Sequence, residues 1–506
     1  MLPTDRAMHI GMHWRVDGLK EAAEKSRRHK YGSSSLLAMP VRDWPDDRPL
    51  PVLTAVPEKG VRVAHDIEPG LREFVRVAAS KAWERWQGRP ESEQVRPRPL
   101  LGVPLFDTRG SGGQRLRGQV LETMLHVLRQ EGLRADVDVA LVLRDEKAFA
   151  LAQVRRKHDV NESWPQLAGT GLLEQARRVA EYARDGRLVP FMGAGVSISA
   201  GAPNWSSLIG LLADKAGLDA IDKASLMDSG RDVLDQAAYL RTAFVETKPG
   251  GSSQPDGGFA AAIVDAVSLP HYGLAPALLA SLKTEQAITL NYDQLFEFAA
   301  ADAGDPRTVI PDDEVGSSSK WLLKLHGSVA SPESIVLTRH DYRGYNSSHD
   351  ALSAIVKATL ITHHLLFVGF GLSDDHFHQI IHDVRRSLPK GSTGTSEMAT
   401  ALTMSSDPLD HKLWQGKLGL IPMSGTHSSR SESARTLEII LDALLAFATD
   451  SHSYLLSSGY EDVLDPADSA LRKSLLKFVD DTNEDQRGTA AWTVLKKSLG
   501  DLGFES

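Results

Sequence analysis

The chain has 506 residues, of which 42% are hydrophobic and 24% are charged, and its formal net charge is -9. This length predicts two or three domains instead of one core, and the composition is typical of a globular protein. The mild negative charge disfavours a protein that wraps nucleic acid, and no apolar run reaches membrane-spanning length. The N-terminus lacks the apolar region of a signal peptide and the chain has no cysteine. We therefore expect a cytoplasmic protein without membrane or nucleic-acid partners.

Residues 1–165 alternate short apolar runs with polar helical stretches, which predicts an N-terminal α/β domain. Apolar residues at helical spacing over 115–130 lie between two candidate strands and predict a strand–helix–strand unit. The glycine-rich loop at 105–113, with Arg109, lies where a phosphate would bind and faintly resembles the phosphate loop of macro-like ADP-ribose binders. A nucleotide sensor, an interaction domain and a plain structural turn all stay open here. The candidate strands are Ser35–Val41, Val61–His65, Pro99–Phe106 and Val137–Leu143.

A second α/β pattern covers residues 171–448. It begins with an amphipathic helix at Leu172–Asp185 and the apolar strand Leu188–Met192, and a helix at Trp205–Lys215 follows the intervening glycine loop. An apolar helix at Thr436–Ala448 closes the pattern, and residues 451–506 show the spacing of a short helical tail. Loops are predicted at 247–258 and 389–396. The further candidate strands are Ala287–Leu290, Trp321–Leu325, Ile335–Leu337, His364–Phe370 and Gly419–Pro422.

The glycine loop follows the strand Leu188–Met192 and leads into a helix, an arrangement typical of dinucleotide binding. Glycines let phosphates approach the backbone, and the N-terminus of the next helix favours negative charge. The alternative is a purely structural strand–helix turn. The candidate binding residues of this loop are Gly193, Ala194, Gly195, Ser197, Ala200, Pro203 and Trp205.

Polar residues follow three further strands at their carboxyl ends, where open α/β sheets bind ligands. Asn291 and Asp293 follow one strand, and His326 with Gly327 follows the next. The alternative for Asp293 is a turn that caps the following helix, and a lone histidine is often only structural. At the end of the strand His364–Phe370 and just after it, the candidates are Gly369 and Ser373.

The glycine loop, the Asn291/Asp293 pair, the His326–Gly327 pair and the segment around Gly369, in this order, resemble the sirtuin family. They resemble most the sirtuin-like effectors of bacterial anti-phage systems, including the Thoeris type. The resemblance implies a Rossmann-like sirtuin domain that binds NAD, with Asn291 holding a water under the nicotinamide ribose. It implies that Asp293 anchors the ribose or the nicotinamide amide. It also implies that His326 deprotonates or polarises a ribose hydroxyl, and that Gly369 and Ser373 approach the adenosine half. Such effectors carry Pro-x-Trp after the glycine loop, as Pro203-Asn204-Trp205 does here.

The implied reaction is cleavage of the bond between nicotinamide and ribose, which gives nicotinamide and ADP-ribose. The resemblance implies NAD as the substrate. Without cysteine the chain cannot build the four-cysteine zinc module of protein-deacylating sirtuins, so no zinc is expected. Asn291 and His326 would serve equally in a deacylase or an ADP-ribosyltransferase, and a sensor that only binds NAD or ADP-ribose is a third alternative. The resemblance further implies a homo-oligomer and an activating nucleotide or partner protein.

The histidines His376, His378 and His382 lie close together in the sequence and invite a metal interpretation. No acidic triad accompanies them, so a helix with solvated or partly packed histidines is the preferred interpretation. We therefore predict no metal site.

Overall fold

The structure of the chain is a computed structural model that describes most of its residues. Ser373, the loop around Arg109 at 106–112 and the predicted loops at 247–257 and 389–396 lie outside the described residues. The described residues are 2–4, 18–26, 31, 36–46, 48–57, 60–90, 94–105, 113–228, 230–246, 258–314, 319–342, 350–372, 375–387, 397–424 and 429–505.

Strands and helices alternate along much of the chain, as the sequence predicts. The strands are β1 (Leu2–Thr4), β2 (Ala38–Pro40), β3 (Val52–Ala55), β4 (Leu100–Pro104), β5 (Asp138–Val142), β6 (Leu188–Met192), β7 (Gln286–Thr289), β8 (Thr308–Ile310), β9 (Trp321–Lys324), β10 (His364–Val368), β11 (Ala399–Thr403) and β12 (Leu418–Pro422). The helices are α1 (Leu19–Ser26), α2 (Glu68–Gln87), α3 (Arg117–Ala135), α4 (Glu146–His158), α5 (Val160–Ser163), α6 (Leu172–Arg184), α7 (Trp205–Lys215), α8 (Ala220–Leu226), α9 (Val233–Glu246), α10 (Phe259–Val267), α11 (Leu274–Ser281), α12 (Leu295–Asp302), α13 (Asp350–Thr362), α14 (Asp375–Ser387), α15 (Pro408–Trp414), α16 (Arg430–Ala448), α17 (Pro466–Asp481), α18 (Glu484–Arg487) and α19 (Ala490–Asp501).

Residues 1–165 and 449–506 form one compact unit. The predicted strand–helix–strand unit is present, because β4 and β5 pair in parallel and α3 connects them. Residues of α2 and α3 fill the core beside this pair, with Phe74, Val103 and Met124 all buried. A second sheet has the order β1-β3-β2, in which β2 is antiparallel to β3.

One predicted strand of this unit is wrong. The segment Val61–His65 does not extend, and a 3₁₀ turn begins at Ala64 instead. The cause is the carboxylate of Asp66, which accepts hydrogen bonds from the Arg62 and Val63 amides at 2.8 and 3.0 Å and so closes a turn.

Residues 166–448 form the second unit around a seven-stranded sheet of the order β12-β11-β10-β6-β7-β9-β8. All six neighbouring pairs are parallel, so the predicted α/β class is confirmed. Every residue of β6 and β10 is buried, as expected for central strands covered by helices on both faces. Helix α6 packs against α16, and α13 packs against α14.

The predicted strand Ile335–Leu337 is also wrong, although the residues are buried. These apolar side chains pack against helices α7, α9 and α10 and not beside a neighbouring strand. We call residues 205–267 the helical module. Tyr292 and Val329, from the loops after β7 and β9, pack against the same apolar cluster, so the module contacts the carboxyl edge of the sheet. Within the described residues, no helix is long and apolar enough to cross a bilayer.

The opposite, amino-terminal edge of the sheet holds a buried histidine at the start of β10. The ring of His364 stacks on Tyr182 with centroids 3.9 Å apart, and its Nε2 atom lies 2.8 Å from the Thr400 hydroxyl. Burial, together with the positive charges of Arg178 and Arg187, lowers the pKa of His364 to about 4. The folded chain therefore favours the neutral imidazole.

We expect acid to destabilise this unit partly through His364. Its folded pKa lies below the unfolded value of 6.5, so its contribution to stability is complete above pH 6.5 and is lost as pH falls towards 4. The size of the contribution is about 3 kcal/mol. The urea midpoint of His364→Gln should therefore fall less steeply than that of the wild type between pH 6.5 and 4. The control is His411→Gln at an exposed position, and equal slopes for all three proteins would contradict the account.

Candidate functional site

One row of paired residues crosses the four central strands at their carboxyl ends. Val368 pairs with Met192, Met192 with Thr289, and Thr289 with Lys324. The glycine loop begins with Gly193, one residue beyond Met192 of this row. Gly369 likewise lies one residue beyond Val368. Asn291 and His326 each lie two residues beyond the row. The parallel register therefore brings the segments that the sequence singled out to one edge of the sheet.

The loops after β6 and β10 touch backbone to backbone. The Gly193 amide donates to the Val368 carbonyl at 3.0 Å, and the Gly195 amide donates to the Gly369 carbonyl at 2.9 Å. A Cβ atom at Gly193 would lie 2.6 Å from the Gly369 carbonyl oxygen, and one at Gly195 would lie 2.6 Å from the Gly369 Cα. Gly369 itself has a φ of +64° and faces the Val196 amide. The three glycines are needed because no side chain fits between the two loops.

The rest of the glycine loop folds into two short turns before α7. The first spans Ala194–Val196 and the second Ile198–Ala200. Ala194 is exposed and its amide donates to no acceptor among the described residues, whereas Ser197 is buried. The half-buried Pro203 precedes Asn204, whose side chain accepts from the Ser207 amide at 2.9 Å and caps α7.

Trp205 is the first residue of α7, at the position that the sequence assigns to it. Its side chain packs against the apolar cluster of the helical module. The indole Nε1 atom is buried and has no hydrogen-bond partner among the described residues. Such an orphaned donor is expected to find a partner when a polar ligand binds nearby.

Asn291 is fixed to the glycine loop by its side-chain amide. Its Nδ2 atom donates to the Gly193 carbonyl at 3.1 Å and to the Ser197 hydroxyl at 3.2 Å. Its backbone amide donates to the Thr289 hydroxyl, which in turn donates to the Met192 carbonyl. No donor among the described residues reaches the Asn291 side-chain oxygen, so this acceptor remains available for a water or a ribose hydroxyl.

Asp293 is buried, and its carboxylate accepts from the Leu295 amide at 3.0 Å. The side chain thus caps α12, which was the structural alternative for this residue. The cap holds the turn that carries Asn291 in a fixed relation to the helix behind it.

A buried ion pair that the sequence did not predict lies under the same turn. The Lys324 side chain is fully buried, and its Nζ atom donates to Glu297 at 2.7 Å and to the Asp293 carbonyl oxygen. Burial raises the pKa of the Glu297 carboxyl, and the neighbouring ammonium group partly opposes this rise. Lys324 is the last residue of β9 and lies two residues before His326, so the pair connects the segments that carry Asn291 and His326. A lysine inside the apolar run Trp321–Leu325 was the signal available in the sequence.

His326 is buried, and its carbonyl accepts from the Val336 amide at 2.9 Å. Its imidazole meets the ring of Tyr342 edge to face, with centroids 5.3 Å apart. Gly327 has a φ of +90°, and a Cβ atom there would clash with the Ser334 backbone. The turn after β9 therefore requires glycine, and this requirement fixes where the His326 backbone lies.

These contacts describe an edge suited to a dinucleotide. The exposed Ala194 amide has no acceptor among the described residues, and Asn291 places a side-chain carbonyl next to this loop. His326 follows the next strand of the sheet. Gly193, Gly195, Ser197, Asn291 and Gly369 contact one another directly in this part of the structure, whereas Ala200 and Pro203 lie on the path to α7.

One histidine of α14, His378, makes packing contacts. His378 Nε2 donates to the Leu372 carbonyl oxygen at 2.7 Å, and the His378 ring packs against Trp414 with centroids 4.9 Å apart. The parts of the chain that the structure describes contain no group of three or more His, Asp or Glu residues arranged to hold a metal.

Comparison with known families agrees with this geometry. The family described as SIR2-like domain matches residues 285–419. The match begins next to β7 and includes Asn291, His326 and Gly369, whereas the glycine loop lies outside it, earlier in the sequence. The resemblance to sirtuin-like proteins is thereby confirmed.

Proteins similar to part of this chain include bacterial defence proteins. Defense-associated sirtuin 2 of Bacillus subtilis is 29% identical over 223 residues, which cover 42% of this chain and 21% of that protein. The NAD(+) hydrolase ThsA of Enterococcus faecium is 27% identical over 221 residues, which cover 41% of this chain and 42% of that protein. The NAD(+) hydrolase ThsA of Bacillus cereus is 26% identical over 206 residues. The chain spans less than half of the length of these relatives.

The glycine contact predicts that a glycine-to-alanine substitution is destabilising at Gly195 but not at Gly210. Gly195→Ala should lower the melting temperature and weaken NAD binding, because its Cβ would lie 2.6 Å from the Gly369 Cα. Gly210→Ala in α7 is the matched control, since a Cβ there meets no atom within 4 Å. Helix propensity should make this control neutral or more stable by up to about 1 kcal/mol. Equal melting temperatures for the two variants, measured by scanning calorimetry, would contradict the close contact.

The buried ion pair predicts non-additive stabilities. Lys324→Met should cost about 3–5 kcal/mol, because it leaves the Glu297 carboxylate buried without its partner. Replacing both residues, in Lys324→Met/Glu297→Leu, should be less destabilising than the single lysine change. Lys223→Met removes the more exposed pair with Asp214 and should cost less than about 1 kcal/mol. Urea unfolding of the wild type, both single variants of the pair, the double variant and Lys223→Met checks this. Losses that simply add in the double variant would count against a coupled pair.

Proposed function

We propose that the protein is an NAD+ hydrolase that cleaves the nicotinamide–ribosyl bond and gives nicotinamide and ADP-ribose. The observation that carries the proposal is the hydrogen bonding of the Asn291 side chain to Gly193 and Ser197, which fixes a side-chain carbonyl beside the glycine loop. His326 follows the neighbouring strand in register. The names of the ThsA relatives as NAD(+) hydrolases support the same reaction.

In the proposed reaction the C–N bond to the anomeric carbon breaks, and nicotinamide leaves as a neutral molecule with the bonding electron pair. The ribose then carries positive charge, shared by the anomeric carbon and the ring oxygen. Water held by the Asn291 carbonyl adds to the anomeric carbon and loses a proton. His326 orients and polarises the ribose hydroxyls and accepts a proton as a general base. The balance is NAD+ and water giving nicotinamide, ADP-ribose and a proton.

Each binding residue has a proposed part in holding the dinucleotide. Gly193, Ala194 and Gly195 would face the pyrophosphate, since they present backbone without bulky side chains. Ser197, Ala200, Pro203 and Trp205 would shape the path from the loop into α7. Asp293 and Gly327 would position the turns that carry Asn291 and His326. Gly369 and Ser373 would face the adenosine half.

We assign the reaction to residues 171–448, which the helical tail at 451–506 follows in the chain. We assign a sensing or interaction role to residues 1–165. As the wider role we propose NAD depletion in anti-phage defence, in the cytoplasm, by a homo-oligomer that responds to a nucleotide or a partner protein. The names of the defence-associated and ThsA relatives support this role.

The test is nicotinamide release from NAD by the purified chain, measured by chromatography beside Asn291→Ala and His326→Ala. Because each residue acts at the reacting ribose, each change should lower kcat about 100-fold or more. His411→Ala, at an exposed position in α15, is the control and should keep the wild-type rate.

The products decide between the alternatives. Equal amounts of nicotinamide and free ADP-ribose support hydrolysis, whereas label transferred from NAD to protein would establish an ADP-ribosyltransferase. Consumption of an acylated peptide would establish a deacylase. Saturable NAD binding with no nicotinamide released, including in lysate from phage-infected cells, would contradict the hydrolase and favour a sensor.

A further inference from the structure

The ring of Tyr342 lies against the imidazole of His326. The two ring centroids are 5.3 Å apart and the planes meet at 67°, an edge-to-face arrangement. Such contacts are worth about 0.5–1.5 kcal/mol beyond simple burial, enough to select one orientation of an imidazole. The Tyr342 amide donates to the Thr338 carbonyl at 3.1 Å, so Tyr342 belongs to a short helical turn over 338–342.

A bidentate ion pair connects that turn to the helical module. Arg241 of α9 donates to the two carboxylate oxygens of Asp341 at 2.8 and 2.9 Å, and its Nη1 atom also lies 3.2 Å from the Thr338 hydroxyl. Paired donation from a planar guanidinium fixes direction as well as distance. The anchor therefore fixes the orientation of the residue immediately before Tyr342.

The carboxylate of Asp341 also organises the turn from inside. It accepts from the Leu337 and Thr338 amides at 3.2 and 2.8 Å. Burial works to raise the pKa of Asp341, but the hydrogen bonds from Arg241 and from these amides lower it below its ordinary value. The group is thus a charged carboxylate that satisfies donors on both the helix and the turn.

We propose that Tyr342 is a positioning residue for His326 and that the Arg241–Asp341 pair holds it there, so that the placement of α9 sets the orientation of the catalytic imidazole. This inference rests on the proposed function and adds a residue and a route of control to it. Any ligand or partner that displaces the helical module would change the rate through two contacts, Arg241 to Asp341 and Tyr342 to His326.

The first test separates the ring from its hydroxyl. Tyr342→Phe keeps the aromatic edge and should release nicotinamide at close to the wild-type rate. Tyr342→Leu removes it and should lower kcat roughly three- to tenfold, with KM within about twofold, because orientation matters more in the transition state than in binding. A wild-type kcat for Tyr342→Leu would overturn the proposal, as would a change confined to KM.

The second test does not depend on activity. In the full-length chain with ¹³C-labelled histidine, the His326 signal is the one that disappears in His326→Gln. Tyr342→Leu should move this signal, and Tyr342→Phe should leave it near its wild-type position. Asp341→Asn and Arg241→Met keep the tyrosine ring but weaken its anchor, so each should move the signal part of the way towards that of Tyr342→Leu.

Lys223→Gln is the control for this measurement, because it removes a surface ion pair of the same helical module that does not reach the turn. A His326 signal that stays in place in Asp341→Asn and Arg241→Met would overturn the anchoring route. If the wild type releases no nicotinamide and yet the signal moves as described, the positioning contact stands and the proposed function fails. If nicotinamide is released and the signal does not move, the positioning proposal fails alone.

Discussion

Close contact between two backbones determines the shape of the candidate site. Gly193 and Gly195 lie against Gly369, where a Cβ atom would come within 2.6 Å of the opposite loop. Two hydrogen bonds continue the pairing of β6 and β10 past the ends of these strands. Because the strands meet in register, this contact also fixes the loop against which the Asn291 side chain is held. The exposed Ala194 amide between these two glycines is suited to a phosphate, which approaches backbone amides closely.

The buried Lys324–Glu297 ion pair supports the carboxyl edge of the sheet, although burying the two charges costs desolvation energy. Lys324 and Glu297 are taken out of water together, and the lysine also donates to the turn that carries Asn291 and Asp293. A buried pair of this kind adds little net stability, but removing one partner is expensive. We infer that the pair is kept for geometry, since it ties the ends of β7 and β9 to α12. The Asp341 carboxylate does the equivalent for the segment after β9 by joining it to the helical module.

Much of this architecture could be predicted from the sequence, because buried parallel strands appear as continuous apolar runs. Strands β6, β7, β9, β10 and β12 lie where those runs predict them. The three-residue edge strand β8 and the alanine- and threonine-rich β11 were missed, since neither shows a strong apolar run. The segment Ile335–Leu337 is apolar for a different reason, because it is covered by helices. Lys324 pairs with Glu297 across 27 residues, and Arg241 with Asp341 across 100, so neither pairing has a local sequence signal.

The central claim is that NAD binds along the carboxyl edge formed by these loops. The most direct measurement is an experimental structure of Asn291→Ala with NAD bound, since this variant should bind the dinucleotide without cleaving it. The account predicts pyrophosphate density against Gly193–Gly195 and the nicotinamide ribose beside residue 291 and His326. Density for NAD at any other place on the chain, with this edge empty, would contradict the account.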